Sequence, residues 1–218
     1  EVVGWANNPL SSTALKKTLI DGSEIRLCDV TDLAAQTSAN VALAPIATER
    51  MQSSVAFIDR AVEENERIYG VTTGFGGMAG VVVSAEDAEA LQSNLLSFLA
   101  SGAGDEIDRR HTRAAMLLRA NVLAQGCSGI RPEIVDRILR FLSADATPVV
   151  RELGSIGASG DLVPLSVIGR AVTGVNDSVN VRLGDRLLAG SEALAELGLE
   201  PISLRPKEGL ALVNGTSF

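Results

Sequence analysis

The sequence predicts a mainly α-helical chain with a few short strands. Three observations carry this. Apolar residues recur at helical spacing through four long stretches, roughly 45–66, 84–99, 109–125 and 132–142. Most of these stretches are bounded by a capping residue, a proline or a glycine. The runs that read as extended, such as Val179-Asn180-Val181-Arg182-Leu183, are short and flanked by turn residues.

Taken in order, residues 1–24 carry little pattern and read as an N-terminal arm, and 25–218 as the folded unit. Ile25-Arg26-Leu27-Cys28-Asp29-Val30 reads as a short strand, with Asp32 capping a short helix through Ala35. Ile46, Met51, Val55, Ile58 and Val62 make 45–66 an amphipathic helix. A glycine-rich stretch, Gly70 to Gly80, follows Tyr69, and Val81-Val82-Val83 looks extended. Ser84 starts the next helix with Asp87 as an approximate capping box, and Ala88, Leu91, Leu95, Phe98 and Leu99 form its stripe, stopped by Gly102 and Gly104. Arg109–Gln125 is a helix closed by Gly126. Pro132 opens another with Ile134, Ile138, Leu139 and Leu142 inward. Asp161 is placed to cap a helix through Leu162, Leu165 and Ile168, with Gly174 as its stop. Beyond it come a hairpin around Gly184-Asp185 and a short helix from Ser191 to Leu197.

Composition narrows the function. The formal net charge of −8 argues against nucleic acid or an anionic membrane as partner. No apolar run reaches membrane-spanning length and the N-terminus is no signal peptide, so a cytoplasmic protein is expected. His111 is the one histidine, and it opens an arginine-rich helix where a solvated role fits best. Cys28 and Cys127 are isolated and make no metal pattern; Cys127 reads as a small buried residue. Ordinary side-chain nucleophiles are poorly served, which favours an electrophile made by the chain itself.

One stretch supplies the means: Gly154-Ser155-Ile156-Gly157-Ala158-Ser159-Gly160-Asp161-Leu162-Val163-Pro164-Leu165. Gly160 has no Cβ, so its amide nitrogen can approach the Ala158 carbonyl carbon. Attack there with loss of water closes a five-membered ring. Loss of the Ser159 hydroxyl as a second water leaves an exocyclic methylidene. A helix N-terminus after Asp161 would favour electron density on the ring oxygen. The tripeptide taken alone reads first as a flexible loop before a helix. Elsewhere, Gly74-Phe75-Gly76-Gly77-Met78-Ala79 formally fits the dinucleotide fingerprint, but no βαβ unit follows, and a glycine loop presenting Tyr69 suits the sequence better.

The stretch 154–165 closely resembles the signature of the aromatic amino acid ammonia-lyases and aminomutases. Two further segments, in the family's order, strengthen the resemblance: Tyr69 to Gly80, and Asn214-Gly215-Thr216-Ser217. It runs from about Ile25 to Phe218 and is closest to the bacterial phenylalanine ammonia-lyase type. It implies the N-terminal domain of the aspartase-like ammonia-lyase fold. It also implies that Ala158, Ser159 and Gly160 become a methylidene-imidazolone, with no metal and no external cofactor. Tyr69 is implied as the catalytic base; a free phenol ionises at about pH 10, so its phenolate must be stabilised. Leu91 to Leu99 matches the family's aryl-pocket segment, with Leu95, Phe98 and Leu99 as substrate contacts. Phe98-Leu99 resembles the phenylalanine type, whereas tyrosine enzymes tend to have His-Leu and histidine enzymes Ser-His. Leu210 is implied to touch substrate, and Asn214 to bond near the prosthetic group and the substrate carboxylate.

The implied reaction is deamination of L-phenylalanine to trans-cinnamate and ammonia, with a small aromatic amino acid as substrate. Family subunits continue into long helices that form a central bundle in a homotetramer and carry the arginine that grips the carboxylate. The chain is therefore expected to be the N-terminal portion of such an enzyme, ending before the bundle. An aromatic aminomutase shares every motif named here. A histidine ammonia-lyase conflicts with Phe98-Leu99. A catalytically silent assembly module is the alternative from another class.

Overall fold

The most regular pattern in the sequence becomes α5 (Pro132–Ser143), whose Ile134, Val135, Ile138, Leu139, Phe141 and Leu142 are all buried. Pro132 sits at its first turn, where the missing N–H costs nothing. Truncating Phe141 to alanine would cost about 3–5 kcal/mol on cavity grounds. A computed structural model of the chain describes residues 17–156, 160–176 and 178–218.

Around α5 stand α1 (Leu27–Ala35), α2 (Pro45–Glu63), α3 (Ala85–Phe98), α4 (Arg109–Ala124), α6 (Leu162–Thr173), α7 (Gly190–Glu196) and α8 (Glu208–Val213). The core lies where α4, α5 and α6 meet; α1 packs on α4, and α8 is wedged against α6 and α3. From Pro164 to Thr173 every residue of α6 is buried, and so is all of α8. These two carry the segments of interest at their ends.

The strands are short. β1 (Thr18–Ile20) runs parallel to β2 (Val41–Leu43), with Ile20 opposite Leu43. β3 (Ala103–Glu106) is antiparallel to β5 (Arg151–Leu153). β4 (Ala146–Pro148), β6 (Asn180–Leu183) and β7 (Arg186–Ala189) form an antiparallel sheet, with β6–β7 the hairpin expected around Gly184-Asp185. Among the described residues no helix is long and apolar enough to cross a membrane.

Several expectations need correction. Residues 25–30 are not a strand: Leu27–Ala35 is helical, because Val30, Leu33 and Ala34 share one face buried on α4, and Asp32 lies inside the helix rather than capping it. The buried Arg113 of α4 donates to the Ala34 and Gln36 carbonyls and closes that helix from outside, a tertiary contact that no local pattern announces. Part of the expected arm is folded, since Thr18–Ile20 pairs with β2; residues 1–16 lie outside the described residues. α3 ends at Phe98 with Leu99 as its cap, before Gly102 and Gly104, which flank and enter β3. Cys127 is exposed, not buried, because the left-handed turn at Gly126 that ends α4 turns the chain outward.

Candidate active site

Tyr69 stands on a loop built by hydroxyl-to-backbone bonds. The Thr72 hydroxyl accepts from Ile68 N–H at 2.8 Å and donates to the Glu66 carbonyl; the Thr73 hydroxyl accepts from Gly70 N–H at 3.3 Å. Thr and Ser oxygens of this kind replace a missing ladder and let the chain turn sharply. Tyr69 is 52% exposed, its ring edge-on to Phe75 at 6.2 Å and 77°. Its phenol oxygen accepts the Gly76 N–H at 2.9 Å. Gly70, at φ +67°, cannot be replaced: a Cβ there would overlap the Phe75 ring and lie 2.9 Å from Leu210 Cδ2.

Opposite Tyr69 runs α3, capped as expected by Ser84, whose hydroxyl accepts Asp87 N–H and donates to the Asp87 carboxylate. The helix has two faces that the single apolar stripe did not separate. Ala88, Gln92 and Leu96 are fully buried, whereas Leu91, Leu95, Phe98 and Leu99 line a cleft of ≈ 710 Å³ together with Tyr69 and with Leu162, the first residue of α6. Among the described residues that line it none is charged. Phe98 is 87% exposed, and an apolar ring presented so fully beside a cleft marks a contact surface rather than core.

Gln92 received no role from sequence reasoning. It is 0% exposed; its amide nitrogen donates to the Gly70 carbonyl at 3.0 Å and its amide oxygen accepts Leu210 N–H at 3.1 Å. One side chain thus ties the tyrosine loop, α3 and α8 together. The signal was a glutamine at the helical step between Ala88 and Leu96, a polar residue on the buried face. Leu210 packs behind Gly70 and is itself buried, outside the cleft wall.

The third piece is the loop before α6. Ala158 and Ser159 lie outside the described residues. Gly160 is at φ +101°, and a Cβ there would come within 3.0 Å of both the nitrogen and the oxygen of Gly215. Asp161 N–H donates to the Gly215 carbonyl at 2.7 Å. The Asp161 side chain does not make the expected helix cap. It is buried and accepts instead from the Ser155 hydroxyl at 2.5 Å and from Phe218 N–H at 3.0 Å, a tertiary claim that outcompetes the local one. Gly160 therefore sits in a cradle that only glycine fits.

The far side of that cradle is α8, gripped at both ends. The buried Glu208 accepts from Arg131 Nε at 2.7 Å, from Arg131 Nη2 at 2.8 Å and from Arg205 N–H at 2.7 Å. Hydrogen bonds to Glu208 hold the Arg131 guanidinium above its ordinary range. At the other end Arg119 of α4 donates to the carbonyls of Ala211, Leu212 and Asn214. Burial pushes Arg119 down to about 10, and burial together with Arg119 lowers Lys207. Asn214 follows the helix and is exposed. The described parts assemble an apolar cleft, a phenol on its rim and a glycine seat at the N-terminus of α6.

The sequence profile described as aromatic amino acid lyase matches residues 25–218. The chain is 48% identical over 196 residues to a phenylalanine ammonia-lyase of Nostoc punctiforme, covering 90% of this chain and 32% of that protein. It is 42% identical over 202 residues to a histidine ammonia-lyase of Caldanaerobacter subterraneus, covering 93% and 39%. The solved structure of a tyrosine aminomutase from Streptomyces globisporus superposes with a TM-score of 0.84 at 34% identity, covering 93% of this chain and 37% of that one. The chain thus spans about a third to two fifths of the length of these relatives.

Proposed function

The chain belongs to the aromatic amino acid lyase family, and from that premise we propose that it forms the N-terminal part of a phenylalanine ammonia-lyase subunit, called the full-length subunit below. It would convert L-phenylalanine to trans-cinnamate and ammonia, as a cytoplasmic homotetramer. The observation that carries the substrate is the exposed Phe98, beside Leu99 and facing Tyr69 across a cleft lined by no charged side chain among the described residues. An unsubstituted ring needs no polar partner, and Phe98 and Leu99 offer none to a phenol or an imidazole.

In this reading Ala158-Ser159-Gly160 supplies a methylidene-imidazolone, an electrophile toward the substrate amine that turns it into a better leaving group. Phe98, Leu99 and Leu95 hold the aryl ring, and Leu210 supports the wall from behind Gly70. Tyr69 takes the β-proton. Gly76 N–H donates to the phenol oxygen that would receive it. The N-terminal turn of α6, beginning at Leu162 on the cleft, places its partial positive charge on the side where the ring would lie. Asn214 orients the polar end of the substrate. The likeness to a tyrosine aminomutase supports a second reading, in which ammonia returns to the β-carbon.

Product analysis of the full-length subunit decides between them. With L-phenylalanine, L-tyrosine and L-histidine supplied separately, the expected result is cinnamate from phenylalanine at the highest kcat/KM. Accumulation of β-phenylalanine would favour the aminomutase, and urocanate as the main product would overturn the substrate assignment.

A further inference from the structure

We propose that Arg119 is a positioning residue for ring formation: it holds the Asn214–Gly215 turn in the place where Gly160 and Asp161 seat, and so sets the closure of Ala158-Ser159-Gly160. This rests on the reading that the tripeptide cyclises. Arg119 is 3% exposed, and among the described residues no carboxylate pairs with it. The contrast with Arg113, one turn and a half earlier on α4, is direct: that buried arginine has Asp145 at 3.5 Å. A buried cation without a counter-charge is costly and persists where it is needed.

All three partners of Arg119 are the last carbonyls of α8 and its cap, acceptors that a helix end leaves without intrahelical donors. A planar guanidinium reaches several carbonyls at fixed angles, so it fixes the direction in which the chain leaves the helix. Gly215 is shaped to it, since a Cβ there would overlap Arg119 Nη1. From Gly215 the contact passes on. Its carbonyl accepts Asp161 N–H at 2.7 Å, and its backbone stands 3.0 Å from where a Gly160 Cβ would be. Arg119 therefore acts on the Gly160–Asp161 segment only through the Asn214–Gly215 turn.

The step needs no co-reactant. A bond forms from the Gly160 nitrogen to the Ala158 carbonyl carbon. The carbonyl oxygen leaves as water with one hydrogen from each of the Gly160 and Ser159 nitrogens. The Ser159 hydroxyl leaves as a second water with the Ser159 α-hydrogen. What the protein supplies is proximity, and a misplacement of about 1 Å at such a seat can cost about a hundredfold in rate.

The test uses the full-length subunit, the parent beside Arg119→Lys and Arg119→Met, with peptide mass spectrometry of residues 152–170 and a thermal melt on each. The parent should lack two waters in essentially every molecule. Arg119→Met, folded at the growth temperature, should show the deficit in about tenfold fewer molecules. Arg119→Lys should be intermediate, because one ammonium cannot span three carbonyls. If Arg119→Met does not fold, Gly215→Ala, which keeps the cation and displaces the turn, should lower the deficit in the same way. A dehydrated parent with a fully dehydrated, folded Arg119→Met or Gly215→Ala variant overturns the inference alone. A parent of unreduced mass overturns the cyclisation reading and the inference with it.

Discussion

The tyrosine loop and the α8 clamp face each other across Gln92 and are built on opposite principles. The loop, residues 66–83, buries Gly70 to Gly74 but exposes Tyr69 and Gly76 to Met78; it is held by threonine hydroxyls, and it includes glycines such as Gly77 whose added Cβ would meet nothing within 4 Å. The clamp is buried throughout α8, anchored by Glu208 at one end and Arg119 at the other, and its glycines have no room to spare. The difference teaches a division of labour. In the proposed reading the loop presents Tyr69 as the base at small stability cost, while the clamp stores stability and fixes the seat against which Gly160 rests. Changes in the loop should therefore alter rate, and changes in the clamp should alter folding and ring formation.

The largest expected effect is in the loop. Tyr69→Phe keeps the ring against Phe75 and removes only the hydroxyl, so turnover of the full-length subunit should fall by about 10²–10⁴. The melting temperature should scarcely move, because the residue is half exposed and its lost bond is one backbone N–H that solvent can reach. A near-parent rate would break the comparison at its functional end.

A paired glycine experiment sharpens the structural end. A Cβ on Gly209 would lie 2.6 Å from the Gln92 carbonyl oxygen, so Gly209→Ala should destabilise by about 1–3 kcal/mol. Gly77→Ala should change stability by no more than about 0.5–1 kcal/mol and in the stabilising direction. Chemical denaturation of the two variants measures both. Equal losses would show that loop and clamp are not distinct in the way described.

Smaller again is the specificity effect of the exposed wall. Phe98→His offers a phenol a hydrogen-bond partner, so the phenylalanine-to-tyrosine ratio of kcat/KM should shift about tenfold toward tyrosine. An unchanged ratio would remove Phe98 from the aryl pocket.

The smallest effect lies far from both regions. The bonds from Arg182 hold the Glu106 carboxyl below its ordinary value of 4.5. A lowered folded value means stability present above the unfolded value and lost as pH falls through the folded one. The parent should lose slightly more stability than Glu106→Gln on acidification below about pH 4.5, by less than about 1 kcal/mol for so exposed a pair.

What the sequence made legible follows from how local each signal is. The bounds of α4 and α5, the Ser84 cap of α3 and the Gly174 stop of α6 were readable because proline, serine, glycine and apolar spacing act within one helix. Leu27–Ala35 was misread because its burial on α4 and its closure by Arg113 come from residues far along the chain. The cleft residues Tyr69, Leu95, Phe98 and Leu99 were named through motif resemblance, and three-dimensional placement does bring these four together. Gln92 and Arg119 were passed over because a buried amide and a buried guanidinium gain meaning only from the carbonyls they reach, 22 and more than 90 residues away. Asp161 shows the converse: its sequence position suits a cap, and tertiary partners took its carboxylate instead.

The account turns on a ring made from Ala158-Ser159-Gly160 beside Tyr69, and the mass of the peptide spanning 152–170 from the folded, full-length parent tests it most directly. That peptide should show a deficit of two waters confined to those three residues, abolished in Ser159→Ala together with most of the cinnamate release. A peptide of unreduced mass from a subunit with full activity would contradict it.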